Sequence, residues 1–358
     1  MEGSGNGFLT AALSVLLSVL LLPAACGELD WNKPQAFGRQ KEILVICDDN
    51  LWEQIEQPLR RQVERQLHAV RRERIFEIAQ VSAEKVRHYK EWDKIILIES
   101  LENARLISFV VADSTMARLR QGEGLFFNQI DVWADGQRVV GLAAPADEDI
   151  PRLVVAHGEK IFNAFIRQVE AQEMSRMYHS GRDTLLADSL AVAQGFSIEL
   201  PNVYAQIRQD SLAENELLFV HMKPVRSVFI TWEENAAQLE KSQPALAANR
   251  SRLLEFIYPS QATLVERVDT STVVANGLER LRVYGVWENR EEISGGIYVS
   301  HLIESPEQKR RYYIDGLLFC PDLRRNKYRY LFQLDEILNT FQLHPDHKAP
   351  AQGRPRSK

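Results

Sequence analysis

The sequence is poor in cysteine, with three residues in 358, at positions 26, 47 and 320. That excludes a disulfide scaffold and a zinc site built from cysteine alone. It carries no excess of positive charge: 43 basic against 49 acidic residues leave a formal net charge of −6. A nucleic-acid binder shows a concentrated basic face, so no nucleic-acid partner is expected. It has no HExxH zinc helix, no GxSxG elbow and no P-loop. The one stretch of alternating glycines, Gly3-Ser4-Gly5-Asn6-Gly7, lies too early to open a dinucleotide-binding helix. The eight histidines are scattered; His344 and His347 lie close together, but two ligands without a third make no metal centre. No cofactor and no metal are expected.

What is present is enough apolar residue for a core, 45% of the chain, with 26% charged. The length suits two domains of about 150 residues. At the start, Phe8 to Leu22 form a run of fifteen uncharged residues. A spanning helix needs about 20, whereas the core of a signal peptide is this short. Pro23-Ala24-Ala25-Cys26-Gly27 follows and resembles a bacterial lipobox, with Pro23 where leucine is preferred. Cleavage by an ordinary signal peptidase after Ala25 or Gly27 is the competing reading. The leader is unusual in having Glu2 and no basic residue before Lys33. The expectation is a signal peptide over 1–26, with Cys26 as the lipid attachment site for fatty-acyl chains such as palmitate. Gly27, in place of Asp, would direct such a lipoprotein to the outer membrane. Residues 27–41 read as a tether. The expected location is the cell envelope, lipid-anchored, on the periplasmic side of the outer membrane or on its surface.

The body divides near residue 182, into an N-terminal α/β or α+β domain over 42–181 and a C-terminal α+β domain over 182–342. A Pro-rich, basic tail over 343–358 reads as disordered. In the first half a strand over 42–49 leads into a helix with Trp52, Ile55, Leu59, Val63 and Leu67 at spacings of three and four. Asp49 or Asn50 is its expected N-cap. Strands follow over 74–81 and 94–99, with a further apolar run over 107–112. Residues 131–144 read as a strand broken by a turn at Asp135-Gly136. Residues 149–178 form a long amphipathic helix with Pro151 in its first turn, and the sheet is expected to have one face covered by helices. In the second half a helix over 182–194 is stopped by Gly195. Alternating segments over 196–234 and 278–320 predict antiparallel strands, with helices over 245–256 and 327–341. This sheet, with helices at its start, middle and end, is similar in element order to the Mog1/PsbP-like α+β fold. Cys47 and Cys320 sit in strand-like runs, as two buried thiols or as one bridge between the halves.

The candidate site residues are four acids. Asp48 and Asp49 end a strand before a helix, where capping is the plainer role. Asp131 and Asp135 flank Trp133, and turn formation is the plainer role there. The arginines at 60, 61, 65, 71, 72 and 74 interleave with Glu53, Glu56, Glu64 and Glu73 and read as a solvated helix face.

Several segments in order resemble a known family: Asp49-Asn50-Leu51-Trp52; Asp131-Val132-Trp133-Ala134 with Gln137; Gly195-Phe196 with Ile198 and Pro201; Gly285-Val286-Trp287-Glu288 before Gly295-Gly296; and Gly316 to Pro321 followed by Lys327. They resemble an uncharacterised lipoprotein family of Bacteroidota-type bacteria, domain of unknown function 4837. The resemblance spans Glu42 to Phe341. The chain departs from it in lacking a basic leader and in having Arg71-Arg72-Glu73-Arg74 where that family has a Pro-containing segment. It implies an exported, lipidated protein and transfers no catalytic residue. The expectation is a non-enzymatic envelope protein that binds an envelope protein or polymer or plays a structural part, held to the membrane by its lipid. The alternative is an envelope hydrolase with a site between the halves lined by Asp48, Asp49, Asp131 or Asp135.

Overall fold

The computed structural model describes residues 33–344 except 68, 70, 104, 208–211, 236–239 and 256. The uncharged run from Phe8 to Leu22, Cys26, His347 and residues 345–358 lie outside the described residues.

The first half runs β1 (Glu42–Ile46), α1 (Asp49–Val63), β2 (Gln66–Leu67), β3 (Glu73–Arg74), β4 (Glu77–Val81), α2 (Val86–Tyr89), β5 (Lys94–Ser100), α3 (Asp113–Arg120), β6 (Leu125–Ile130), β7 (Arg138–Ala144) and α4 (Ile150–Met177). Its main sheet has the order β4-β1-β5-β7-β6. The first four strands are parallel, and β6 closes the edge antiparallel to β7. All seven residues of β5 are buried, as a central parallel strand requires when both faces are covered. Leu51, Ile55, Leu59 and Val63 of α1 and Val154, Ile161 and Phe165 of α4 cover one face. Met116 and Leu119 of α3 cover the other with Ile107. This corrects the expectation of helices on one face.

Other boundaries shift for local reasons. The N-cap of α1 is Asp48, in extended backbone, and Asp49 falls in the first turn. The helix ends at Val63, and Leu67 pairs in β2 instead. The 107–112 run makes a short 3-10 turn before α3. The segment from Asp131 is no interrupted strand: Asp131 takes a φ of +53°, and residues 131–137 are the loop joining β6 to β7. Residues 33–41 do not hang free, because Lys33 Nζ donates to the Asp131 carbonyl at 2.9 Å and Phe37 bridges to Trp92.

The second half runs α5 (Thr184–Gln194), β8 (Phe196–Ser197), β9 (Ala205–Gln206), β10 (Glu216–Met222), β11 (Val225–Glu234), α6 (Gln243–Leu254), β12 (Gln261–Thr263), β13 (Asp269–Ala275), β14 (Leu278–Asn289), β15 (Ser294–Ser305), β16 (Arg310–Phe319), α7 (Lys327–Asn339) and β17 (Gln342–Leu343). An antiparallel sheet of eight strands has the order β12-β14-β15-β16-β11-β10-β9, with β13 also on β14. Leu334, Ile337 and Leu338 of α7 pack on one face, and Leu246 and Ala247 of α6 on the other. The fold is thus α+β in this half and α/β in the first. Gly195 ends α5 in the left-handed region, at φ +77°. Gly296 serves close approach: a Cβ there would stand 2.0 Å from the Leu318 carbonyl oxygen. The expected tail begins later than 343, since β17 pairs with β8. Cys47 and Cys320 are both buried free thiols, so no bridge joins the halves.

What joins them is α4 against α7. Lys327 bonds Glu73, Lys41 stands 3.7 Å from the same carboxylate, and Arg329 Nε donates to Glu173 at 2.6 Å.

Candidate functional site

The packing of α7 between the halves leaves a cleft of about 670 Å³. Its walls come from β2, the C-terminal part of α4, β14 and α7. That volume is ordinary for a small-molecule site, which spans about 300–1,000 Å³. Asp335 lies at its base. One oxygen of its carboxylate accepts from Tyr284 Oη at 2.6 Å and Arg282 Nη1 at 3.0 Å. The other accepts from His301 Nε2 at 2.8 Å. Burial alone would raise Asp335; the bonds from His301 and Tyr284 and the charge of Arg282 reverse this and hold it below the usual carboxylate range. His301 is fully buried. Desolvation pushes its pKa down, against the pull of Asp335, so Nε2 carries the proton of a neutral ring.

Next along the helix, Glu336 behaves in the opposite way. Desolvation raises its pKa, and the charges of Asp335 and Glu170 raise it further. Across the cleft, Tyr328 Oη donates to Glu170 at 2.6 Å. Asp269 adds a further carboxylate to the lining, and Arg267 and Arg282 supply the cations. The cleft is therefore acidic, with an acid pair on one helix whose affinities for protons are pushed apart.

The four acids singled out in the sequence do not line this cleft. Asp48 occupies the N-cap position of α1 but its side chain makes no capping bond, and Asp49, in the first turn, accepts from Gln80 Nε2 at 2.8 Å. Asp131 accepts from the Gly136 amide at 2.7 Å, and Asp135 from Gln35 Nε2 at 3.4 Å. The first pair stands between β1 and α1, at the helix N-terminus, and the second in the β6–β7 loop, where Asp131 bonds the turn. Part of the basic run is paired: Arg60 with Glu56 and Glu64, Arg65 with Glu159, and Arg74 with Glu64. Among the described residues there is no cluster of three or more His, Cys, Asp or Glu arranged to hold a metal. No helix among them is long and apolar enough to cross a membrane.

Sequence reasoning missed Asp335, although a signal was there. It lies four residues after Leu331 and three before Leu338, within the apolar stripe of α7. A carboxylate placed there needs dedicated partners.

Two family models match the chain. A domain of unknown function, DUF8532, matches residues 36–179, and another, DUF4837, matches residues 258–340. The second half thus carries a match to a domain-of-unknown-function family, over a shorter span than the Glu42–Phe341 resemblance implied, and the first half matches a different model. No curated protein sequence matches the chain. Among solved structures, the Ran-binding protein Mog1p of Saccharomyces cerevisiae is similar at 11% identity and a TM-score of 0.30, over 42% of this chain and 90% of that one. A mutant of protein Mog1 is similar at 13% identity and a TM-score of 0.30, over 42% of this chain and 91% of that one. A protein from Bacteroides thetaiotaomicron is similar at 12% identity and a TM-score of 0.27, over 42% of this chain and 45% of that one.

Proposed function

We propose that this is an exported, lipid-anchored envelope protein that binds a polar, amine-bearing ligand in the cleft between its halves. The observation that carries the binding reading is the cleft itself, where Glu170, Asp269, Asp335 and Glu336 face two arginines; burial and the charges of Asp335 and Glu170 raise the pKa of Glu336 there. An ammonium group placed beside these carboxylates relieves that repulsion. The Tyr328 ring on the cleft wall supplies an aromatic surface for the rest of the ligand. The export reading is supported by the uncharged run before Cys26.

Thermal denaturation with a series of mono- and diamines, and glycols of equal size as controls, tests the binding. The expected result is a saturable rise in Tm with amines alone, weakened at least tenfold in Glu336→Gln. Equal effects of amines and glycols, or of wild type and variant, contradict it. The anchor has its own test. Cys26→Ala is expected to free the protein from membranes and end labelling by a radioactive fatty acid; persistent labelling contradicts the anchor.

One observation favours a second reading, a hydrolase. Asp335 is held low and Glu336 high in one cleft, which is the division of labour between a base and an acid. It keeps the expected site between the halves but with different carboxylates.

A further inference from the structure

On the far side of α7 from the cleft, a second cavity of about 280 Å³ lies among the end of α4, β10, β11 and α7. Its lining includes Arg176, His179, Tyr204, His221, Arg226 and Gln333, and no carboxylate. Arg226 is 7% exposed and Tyr204 is 8% exposed. Arg226 gives one amino group to Gln333 and the other to His221 Nδ1 at 3.2 Å, while its Nε–H has no partner among the described residues. The Tyr204 hydroxyl has none either. The carboxylate next in this bonding chain, Glu173, sits beyond Gln333 and already takes Arg176 and Arg329. A buried guanidinium without an acid partner is expensive, and its unmade hydrogen bonds add to that expense.

Other features narrow what would complete the group. His221 Nδ1 also stands 3.2 Å from the Lys223 amide and 3.4 Å from the Pro224 carbonyl; the two shorter contacts, from Lys223 and Arg226, come from N–H donors, so Nδ1 accepts and the proton is placed on Nε2 as a further donor. Burial, then the charge of Arg226, keep this ring neutral by lowering its pKa. The carbonyls at the nearby end of α4 are occupied: Arg176 O by the His179 amide, Tyr178 O by the Gly181 amide, and Ser180 O by Asn202. The rings of Tyr204 and Tyr330 flank the guanidinium at 5.9 and 5.2 Å, fixing its plane.

We infer that this cavity is a site for a small oxyanion, a phosphate or carboxylate group, held by Arg226 Nε, the Tyr204 hydroxyl and His221. It is separate from the acidic cleft and takes ligands of opposite charge. Arginine suits such a group because its fork matches two oxygens at once.

The test is thermal denaturation at constant ionic strength, with sodium chloride replaced stepwise by inorganic phosphate in one arm and by acetate in the other. The expected result is a saturating rise in Tm with at least one of the two. Tyr204→Phe keeps the ring and removes the hydroxyl; it is expected to raise the half-saturating concentration at least tenfold, as is Arg226→Gln. Arg152→Gln removes an exposed cation elsewhere and is expected to leave the response unchanged. Saturation by phosphate alone assigns the phosphate class, and by acetate alone the carboxylate class. No rise in either arm, a rise that never saturates, or the same rise in wild type and Tyr204→Phe overturns the site. If Arg226→Gln fails to fold, Tyr204→Phe decides.

Discussion

His301 Nε2 donates to Asp335 Oδ1 at 2.8 Å, joining β15 to α7 at a point where the histidine has no exposed surface. Asp335 of this pair lines the acidic cleft, with His301 behind it. The pair also ties the stability of the second half to pH.

The sign of that dependence follows from the shifts. His301 is held below its ordinary value of 6.5, first by burial. Above pH 6.5 both folded and unfolded forms are neutral, and the term vanishes. Below it the unfolded chain takes up a proton that the folded chain refuses, so stability falls with falling pH, by about 1.4 kcal/mol per unit for one proton. Asp335 is also depressed, so its contribution is present above its unfolded value and is lost further down, as pH falls through its folded value. Urea denaturation between pH 7.5 and 4.5 is expected to show this slope, reduced in His301→Gln. His157 and His221 are lowered too and act in the same direction, so the comparison with the variant isolates His301.

A second buried pair governs how α6 is held to the sheet. Arg250 Nε and Nη2 donate to the two oxygens of Asp315 at 2.9 and 3.1 Å, with the Tyr298 ring 3.8 Å from the guanidinium carbon. Asp315→Ala strands a buried cation and is expected to cost about 3–5 kcal/mol in chemical denaturation. Replacing both partners, Arg250→Met with Asp315→Leu, is expected to restore most of that loss.

Arg280 does a different job, though it too is fully buried. It donates to the carbonyls of Leu338 and Phe341, each at 2.7 Å, and so closes the C-terminal end of α7. Desolvation lowers its pKa to about 10. Arg280→Met removes a charged donor from each, although Leu338 O keeps the Phe341 amide and Phe341 O keeps the Asn276 side chain, and is expected to cost about 1.5–3 kcal/mol for each charge-assisted bond lost. Hydrogen exchange at the end of α7 should rise in that variant.

The free thiols give a simple check on the packing. Burial, with the charges of Asp48 and Asp49, pushes Cys47 up to about 12, and burial also raises Cys320. In a Cys26→Ala background neither is expected to react with a disulfide reagent at pH 8 until denaturant is added. Reaction of both in the folded protein contradicts the packing described.

Much of the architecture was legible in the chain. The periodicity of α4 and α7 and the alternation over 278–320 place the main elements within a few residues. Strand order was not, since apolar runs such as IILIE fit a central strand in any order and say nothing of a neighbour. Leu125–Ile130 carries no clear strand pattern, because its last three residues are exposed. The site was hidden for the same reason as the sheet order. His301 and Asp335 are 34 residues apart on a strand and a helix, and Glu170 comes from the other half. Asp48, Asp49, Asp131 and Asp135 drew attention because turns and caps also favour aspartate.

The cleft is tested most directly by placing a photoreactive amino acid at Gln66, on its rim, in the full chain in its native envelope. Irradiation followed by mass spectrometry of the purified protein is expected to show a ligand-sized mass increment. The increment should be lost in Glu336→Gln and absent when the photoreactive group stands at exposed Phe109. No increment at Gln66, or the same increment at both positions, would contradict a ligand held between the halves.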